Sequence, residues 1–217
     1  MTYTGRTRVG GPAAVRELTD LVITKIAVGP LDNNSYLLRS RDTGEQLLID
    51  AAAEPGTLLD LIGADGLTTI VTTHAHPDHW QALAKVRAAT GARSLAHPLD
   101  APALGDLVDD TIDDGDTVLV GACPLSVTHF QGHTPGSVAL LYDDPVGHPH
   151  LFTGDCLFPG GVGKTWSDAD FATLFAGVRD RLFGALPDET WVYPGHGNDT
   201  TLGVERPQLS EWEARRW

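Results

Sequence analysis

The chain has 217 residues, enough to bury a substantial core, and its 41% apolar and 20% charged content is that of an ordinary globular protein. Its net charge of −14 repels phosphate backbones and anionic lipid, which excludes nucleic acid and membrane surfaces as expected partners. Residues 1–12 lack the apolar core of a signal peptide, and no apolar run approaches the ~20 residues of a membrane span. The two cysteines, Cys123 and Cys156, stand far apart in apolar strand-like runs, which predicts buried free thiols and a reducing, cytoplasmic setting.

In chain order, strands come first. Residues 21–28 and 35–39 alternate or run apolar, with Gly29-Pro30-Leu31-Asp32-Asn33-Asn34 as the turn between them. Residues 46–51 are another β-rich run, preceded by the hairpin turn Asp42-Thr43-Gly44. Glu54-Pro55-Gly56 opens a helix through Ile62, whose apolar face is Leu58, Leu59, Leu61 and Ile62. A strand over 68–73 then ends at His74-Ala75-His76-Pro77-Asp78-His79. Pro77 suits the first turn of a helix running to about Thr90, and Gly91 suits its stop. Residues 94–96 read as a short strand, 99–107 as one or two helical turns, and Asp113-Asp114-Gly115-Asp116 as a solvated acidic turn. Strands follow over 117–120, 125–130, 138–142 and 150–153. Residues 168–183 form a helix with Phe171, Leu174, Phe175, Val178 and Leu182 on one face. A last strand over 190–193 leads into Pro194-Gly195-His196-Gly197. The tail over 202–217 is too short for another domain, and no repeat, low-complexity segment or linker divides the chain. The expectation is a single domain over 1–217, its core at about 21–203.

Four strand ends carry potential metal ligands: His74, His76, Asp78 and His79; His133; Asp155; and His196. Glycines beside them let the backbone turn sharply, so that side chains from different strands converge. Imidazole nitrogen with carboxylate oxygen suits borderline metals. Seven donors suit two sites better than one, and the absence of Cys from the cluster favours open, catalytic positions over a closed structural site. The expected cofactors are two divalent ions, zinc first, with iron and manganese as alternatives. His97, His129, His148 and His150 are assigned surface or supporting roles.

In order and spacing, the His-x-His-x-Asp-His run, Gly132-His133-Thr134-Pro135-Gly136-Ser137, Phe152-Thr153-Gly154-Asp155 and Pro194-Gly195-His196-Gly197 resemble the metallo-β-lactamase superfamily. The resemblance covers residues 25–203. It implies an α/β fold, a four-layer αβ/βα sandwich of two mixed sheets between outer helices, with a dinuclear site on one edge. By motif, His74, His76 and His133 look like the first metal site; Asp78, His79 and His196 look like the second, and Asp155 looks like the bridge. Two cations ~3.5–4 Å apart lower the pKa of a shared water from ~15.7 toward neutrality. The expected chemistry is attack of that metal-bridging hydroxide on a carbonyl carbon, with Asp78 as the catalytic residue that orients it and the metals stabilising the oxyanion. Ser137 lacks the Gly-x-Ser-x-Gly frame of a serine nucleophile.

The segment after Asp155, Cys156 through Trp166, resembles the glyoxalase II group, where a Gly-x-Gly-Lys loop follows the metal Asp. The resemblance implies that Lys164 binds the carboxylate of a thiol carrier; the competing assignment is a solvated surface lysine. The loop also nearly spells a phosphate-binding loop, but Phe158 stands where its first Gly is required. A thioester suits the chemistry, because its thiolate, of pKa near ~8.5, leaves without a strong general acid. Gly197 stands where that group usually has Glu, and the sequence stops soon after His196, where that group usually carries a helical C-terminal domain. The closer resemblance is therefore to short bacterial glyoxalase II-like hydrolases that use another low-molecular-weight thiol. The expected function is hydrolysis of a small-molecule acyl-thiol conjugate. The alternatives are a persulfide dioxygenase with one iron on His74, His133 and Asp155, a lactonase or β-lactamase, and a non-enzymatic binding module.

Overall fold

The computed structural model describes residues 3–216, and in it the apolar runs pair into two large mixed sheets. The first holds β1 (Ala14–Glu17), β2 (Leu21–Val28), β3 (Asn33–Ser40), β4 (Gln46–Ile49), β5 (Thr69–Val71), β6 (Arg93–Ala96) and β7 (Asp110–Thr111), side by side in chain order. Antiparallel pairing joins β1 through β4, and parallel pairing joins β4 through β7. Parallel neighbours need crossovers. These are α1 (Pro55–Ile62), α2 (Leu83–Thr90) and α3 (Ala101–Leu104).

The second sheet is built from β8 (Thr117–Val120), β9 (Cys123–Phe130), β10 (Ser137–Tyr142) and β11 (His150–Gly154). A separate hairpin of β12 (Leu157–Phe158) and β13 (Gly161–Val162) follows, then α4 (Asp168–Val178). The chain returns as β14 (Trp191–Pro194), parallel to β11, with β15 (Thr200–Thr201) at its edge, and finishes in α5 (Leu202–Glu205) and α6 (Leu209–Arg215).

Burial on both faces explains why several strands read as continuous apolar runs rather than alternating ones. Between the sheets, Leu21, Ile23, Tyr36, Leu38 and Leu47 meet Leu125, Val127, Leu140, Phe152 and Tyr193. The outer face of the first sheet, with Ile26, Leu37, Leu48 and Ile70, is covered by Leu58, Ile62, Leu83 and Val86 of the helices. The outer face of the second sheet packs under Phe171, Leu174, Phe175 and Val178 of α4 and Trp212 of α6. The order is helix, sheet, sheet, helix, the expected four-layer sandwich. Cys123 and Cys156 are buried and unpaired. No helix among the described residues is long and apolar enough to cross a membrane.

Two local expectations are corrected. The helix expected from Pro77 begins only at Leu83; residues 77–79 form a 3-10 turn instead. The reason is competition for backbone and side-chain partners: Ala82 N–H donates to Ala51 at 3.0 Å and the Trp80 indole donates to Ala75 at 3.0 Å, contacts a continuous helix would break. The helix from Asp168 gives way to a π-helical turn over Arg179–Phe183, although Leu182 still faces the core. The tail adds no further domain; it forms α5 and α6, with Trp212 fully buried against Phe183.

Candidate metal centre

Strand ends and loops on one edge of the sandwich carry all seven expected donors. His74, His76, Asp78 and His79 follow β5, His133 lies between β9 and β10, Asp155 follows β11 and His196 follows β14. The loops are tied by backbone, between the two sheets where Val138 N–H donates to Thr73 at 2.9 Å and Asn34 N–H to Gly195 at 2.7 Å, and within the second sheet where Gly195 N–H donates to Gly154 at 2.8 Å. The approach at Gly195 admits only glycine, since a Cβ there would stand 2.1 Å from Asp155 Oδ1.

The ring nitrogens face one another at close range. His74 Nε2 lies 3.1 Å from His76 Nδ1 and 3.3 Å from His133 Nε2. On the other side, His79 Nε2 lies 3.2 Å from His196 Nε2, and Asp78 Oδ2 sits 3.6 and 3.5 Å from those two nitrogens. Asp155 stands between the groups. Its Oδ2 is 3.5 Å from both His133 and His196 and 4.0 Å from His74, while Oδ1 is 3.4 Å from His79.

Outer partners assign the tautomers. His133 Nδ1–H donates to the Lys164 carbonyl at 2.8 Å, and His196 Nδ1–H to the Leu31 carbonyl at 2.8 Å. His79 Nδ1–H donates to Asp50 Oδ2 at 2.8 Å. Thr73 Oγ1 donates to Asp50 at 2.8 Å, which leaves it to accept from His74 Nδ1–H at 3.1 Å. Each of these four imidazoles thus turns the lone pair of Nε2 inward, as metal-binding histidines do. Two lone pairs 3.3 Å apart repel unless a cation lies between them. The buried Asp155 Oδ1 has no hydrogen-bond partner either. The donor set fits divalent metal ions.

Electrostatics agree. Burial would depress the His79 imidazolium, but Asp155, Asp50 and Asp78 outweigh it and lift the pKa to about 9: this position demands positive charge. His74 goes the other way, well below its ordinary value, through burial and its imidazole neighbours, so it presents a neutral ring. Burial opposes ionisation of Asp155, yet His79, His196 and His133 hold its carboxyl below the usual range.

A cavity of about 360 Å³ opens beside His133, Asp155 and His196, walled by Phe158 and Val162 of the β12–β13 hairpin, with Lys164 and Arg215 at its rim. Lys164 is exposed and lies 4.4 Å over the Trp166 ring. Arg215 reaches the rim from α6, and its guanidinium donates to the Gly160 carbonyl.

Several residues that shape the centre carried no signal of their own. Asp50, 1% exposed at a left-handed φ of 56°, binds Thr73 and His79. Asn33 donates to Asp78 Oδ2 at 2.8 Å, and Asn34 donates to the Pro194 and Gly197 carbonyls. Both read as turn residues, and only their position opposite a cluster of ligands separates them from ordinary turn chemistry. His150 is interior, not a surface group, with Nδ1 2.9 Å from the Tyr193 hydroxyl. His97 is also buried and stacks on His129 near Asp113. Those donors are already spent, since His97 Nδ1 accepts from Leu99, its Nε2 faces Asp113 and His129 Nε2 donates to Pro135.

Comparison with known proteins gives the same family from two directions. Residues 28–196 match the family model described as the metallo-beta-lactamase superfamily. A hydroxyacylglutathione hydrolase of Fuscovulum blasticum is 36% identical over 167 residues, 76% of this chain and 62% of that protein. ETHE1 from Myxococcus xanthus is 28% identical with a TM-score of 0.76, covering 87% of this chain and 84% of that one. TTHA1623, solved in a di-iron-bound form, is 36% identical with a TM-score of 0.66, covering 84% and 96% of the two chains.

Proposed function

From the premise that the chain belongs to the metallo-β-lactamase superfamily, we propose that it is a dinuclear thioester hydrolase of glyoxalase II type acting on an acyl-thiol conjugate. The observation that carries this reading is the convergence of seven donors into two groups that share Asp155. His74, His76 and His133 would hold one ion, and Asp78, His79 and His196 would hold the other. The similarity to a hydroxyacylglutathione hydrolase and to a protein with a di-iron form supports both the substrate class and the count of two. Because this chain spans only 62% of that hydrolase, glutathione is not assigned as the carrier.

Metal bound there supplies Lewis acidity and water activated near neutral pH. The chain's own groups do the rest. Asp78 is pinned through Oδ2 by Asn33, which leaves Oδ1 to orient the attacking water and take its proton. Phe158 and Val162 shield the acyl group from bulk water in the cavity. Lys164, which lines the cavity together with Arg215, receives the carboxylate of the carrier. The thiolate leaves without a general acid, which an amide would require.

The test is metal analysis of purified protein followed by a panel of thioesters, lactones and persulfides. About two metals per chain with thiol release from acyl-thiols is expected. One tightly bound iron, with oxygen consumed on a persulfide and no thioester cleaved, establishes the dioxygenase instead, whose iron would sit on His74, His133 and Asp155. Lactone turnover alone moves the chain to the lactonases.

A further inference from the structure

Asp100 is 2% exposed, ends the turn after β6 and precedes α3. Its carboxylate accepts three hydrogen bonds: Oδ2 from Ala75 N–H at 2.8 Å and the Thr134 hydroxyl at 2.6 Å, Oδ1 from Gly136 N–H at 2.7 Å. Ala75 stands between His74 and His76, while Thr134 follows His133. The three donors therefore belong to the two loops that carry His74, His76 and His133. None of these bonds goes to a ring. The fit is close, since a Cβ on Gly136 would stand 2.9 Å from Asp100 Cγ. Asp50 differs in serving both groups, taking His79 Nδ1–H at 2.8 Å directly and Thr73 N–H at 2.7 Å beside His74.

We infer that Asp100 is the positioning residue of the His74/His76/His133 group, and that it sets the affinity of that group separately from the Asp78/His79/His196 group. The inference rests on the proposed assignment of these side chains as metal ligands. The physical reason is preorganisation: a tetrahedral ion needs its three nitrogens placed to within ~0.5 Å, and here two loops from different sheets must agree on that placement. One carboxylate that bonds both loops at once fixes their separation. A water-filled gap would not. Losing such outer partners typically costs about 10–100-fold in metal affinity.

The experiment is zinc titration of the metal-free protein against a chromophoric chelator, with circular dichroism as the check on folding. Wild type is expected to bind two zinc ions. Asp100→Asn keeps the shape but turns one acceptor into a donor. It is expected to bind one zinc with wild-type affinity and the other about 10–100-fold more weakly. Thr134→Val, which deletes one of the three hydrogen bonds to Asp100 together with the contact to Ser137 Oγ at 2.6 Å, is expected to weaken the same ion by a smaller factor; it carries the test if Asp100→Asn does not fold. Combined with His76→Ala, Asp100→Asn should add little further loss, whereas with His196→Ala the two losses should add. Equal weakening of both ions, or no weakening in folded protein, overturns the inference. The readout needs no substrate. Two zinc ions bound without thioester cleavage would sink the proposed activity and leave this inference standing.

Discussion

Lys25 lies in the middle of β2 with its side chain fully buried. Its ammonium donates to Gly5 O at 2.8 Å, Gly197 O at 2.7 Å and Asp199 Oδ1 at 2.5 Å, which uses all three of its protons. Asp199 also accepts from the Tyr3 hydroxyl at 2.7 Å and the Trp191 indole at 2.9 Å. Lys25→Met keeps the stem in its apolar channel and deletes the charge, which strands a buried carboxylate. Breaking one side of such a pair costs about 3–5 kcal/mol. For a chain of this size each kcal/mol moves Tm by roughly 2–4 °C, so a fall of about 6–20 °C is expected at pH 7.5. Burial already holds the Asp199 carboxyl above its ordinary value with Lys25 opposite it, and removing Lys25 raises it further. A carboxyl whose folded pKa exceeds its unfolded value stabilises at low pH and loses that contribution as pH rises through the folded pKa. The deficit of the variant is therefore smallest near pH 4 and complete at pH 7.5. Urea unfolding at both pH values measures it, and adding Asp199→Asn should recover part of the loss. A deficit below about 1 kcal/mol at pH 7.5, or an equal one at both pH values, refutes the reasoning.

Asp155→Ala removes the carboxylate shared by both donor groups; metal per chain, read by elemental analysis, should fall from about two to below one, with hydrolysis lost. Lys164→Ala should raise KM for an anionic carrier thioester about 10-fold, near 1.4 kcal/mol, with kcat and metal content unchanged, and unaltered kinetics would return Lys164 to solvent. His150 is held neutral by burial and then by the charges of Arg16 and His148, its pKa pushed down to about 3. That neutral form stabilises fully above pH 6.5 and loses the contribution as pH falls toward 3, a decline of at most about 4–5 kcal/mol. His150→Phe should flatten the slope in urea titrations from pH 7 to 4. Trp212→Ala empties a fully buried indole site against Phe183 and should cost about 3–5 kcal/mol in chemical denaturation, Trp212→Phe markedly less.

Much of the centre was legible because the signal is local: an apolar run ends, and a His or Asp with glycine beside it follows. That rule located His74 through His79, His133, Asp155 and His196, and the structure brings all of them to one edge. The layers were legible for a related reason, since strands buried on both faces leave continuous apolar runs. What escaped was set by distant partners. Lys25 looks like a break in an apolar strand until Asp199 is placed against it, 174 residues away. Asp100 looks like an ordinary turn residue before a short helix, because its three donors come from two other loops. The helix expected at Pro77 failed for the same reason. Its proline and spacing favour a helix, but the ligand loop and Ala51 compete successfully for its backbone. The β12–β13 hairpin has two-residue strands, too short for any periodicity to register.

Cys156 follows Asp155 directly and is fully buried. Burial, then the charges of Asp155 and Asp100, push its thiol well above the ordinary range. Disulfide exchange proceeds through the thiolate, and Cys156 has almost none at neutral pH. Thioester hydrolysis, as proposed above, would liberate small thiols beside this residue, and their oxidised dimers would cap a reactive cysteine there as a mixed disulfide. Here the sulfur lies one residue from Asp155, and burial with a raised thiol pKa disfavours that exchange.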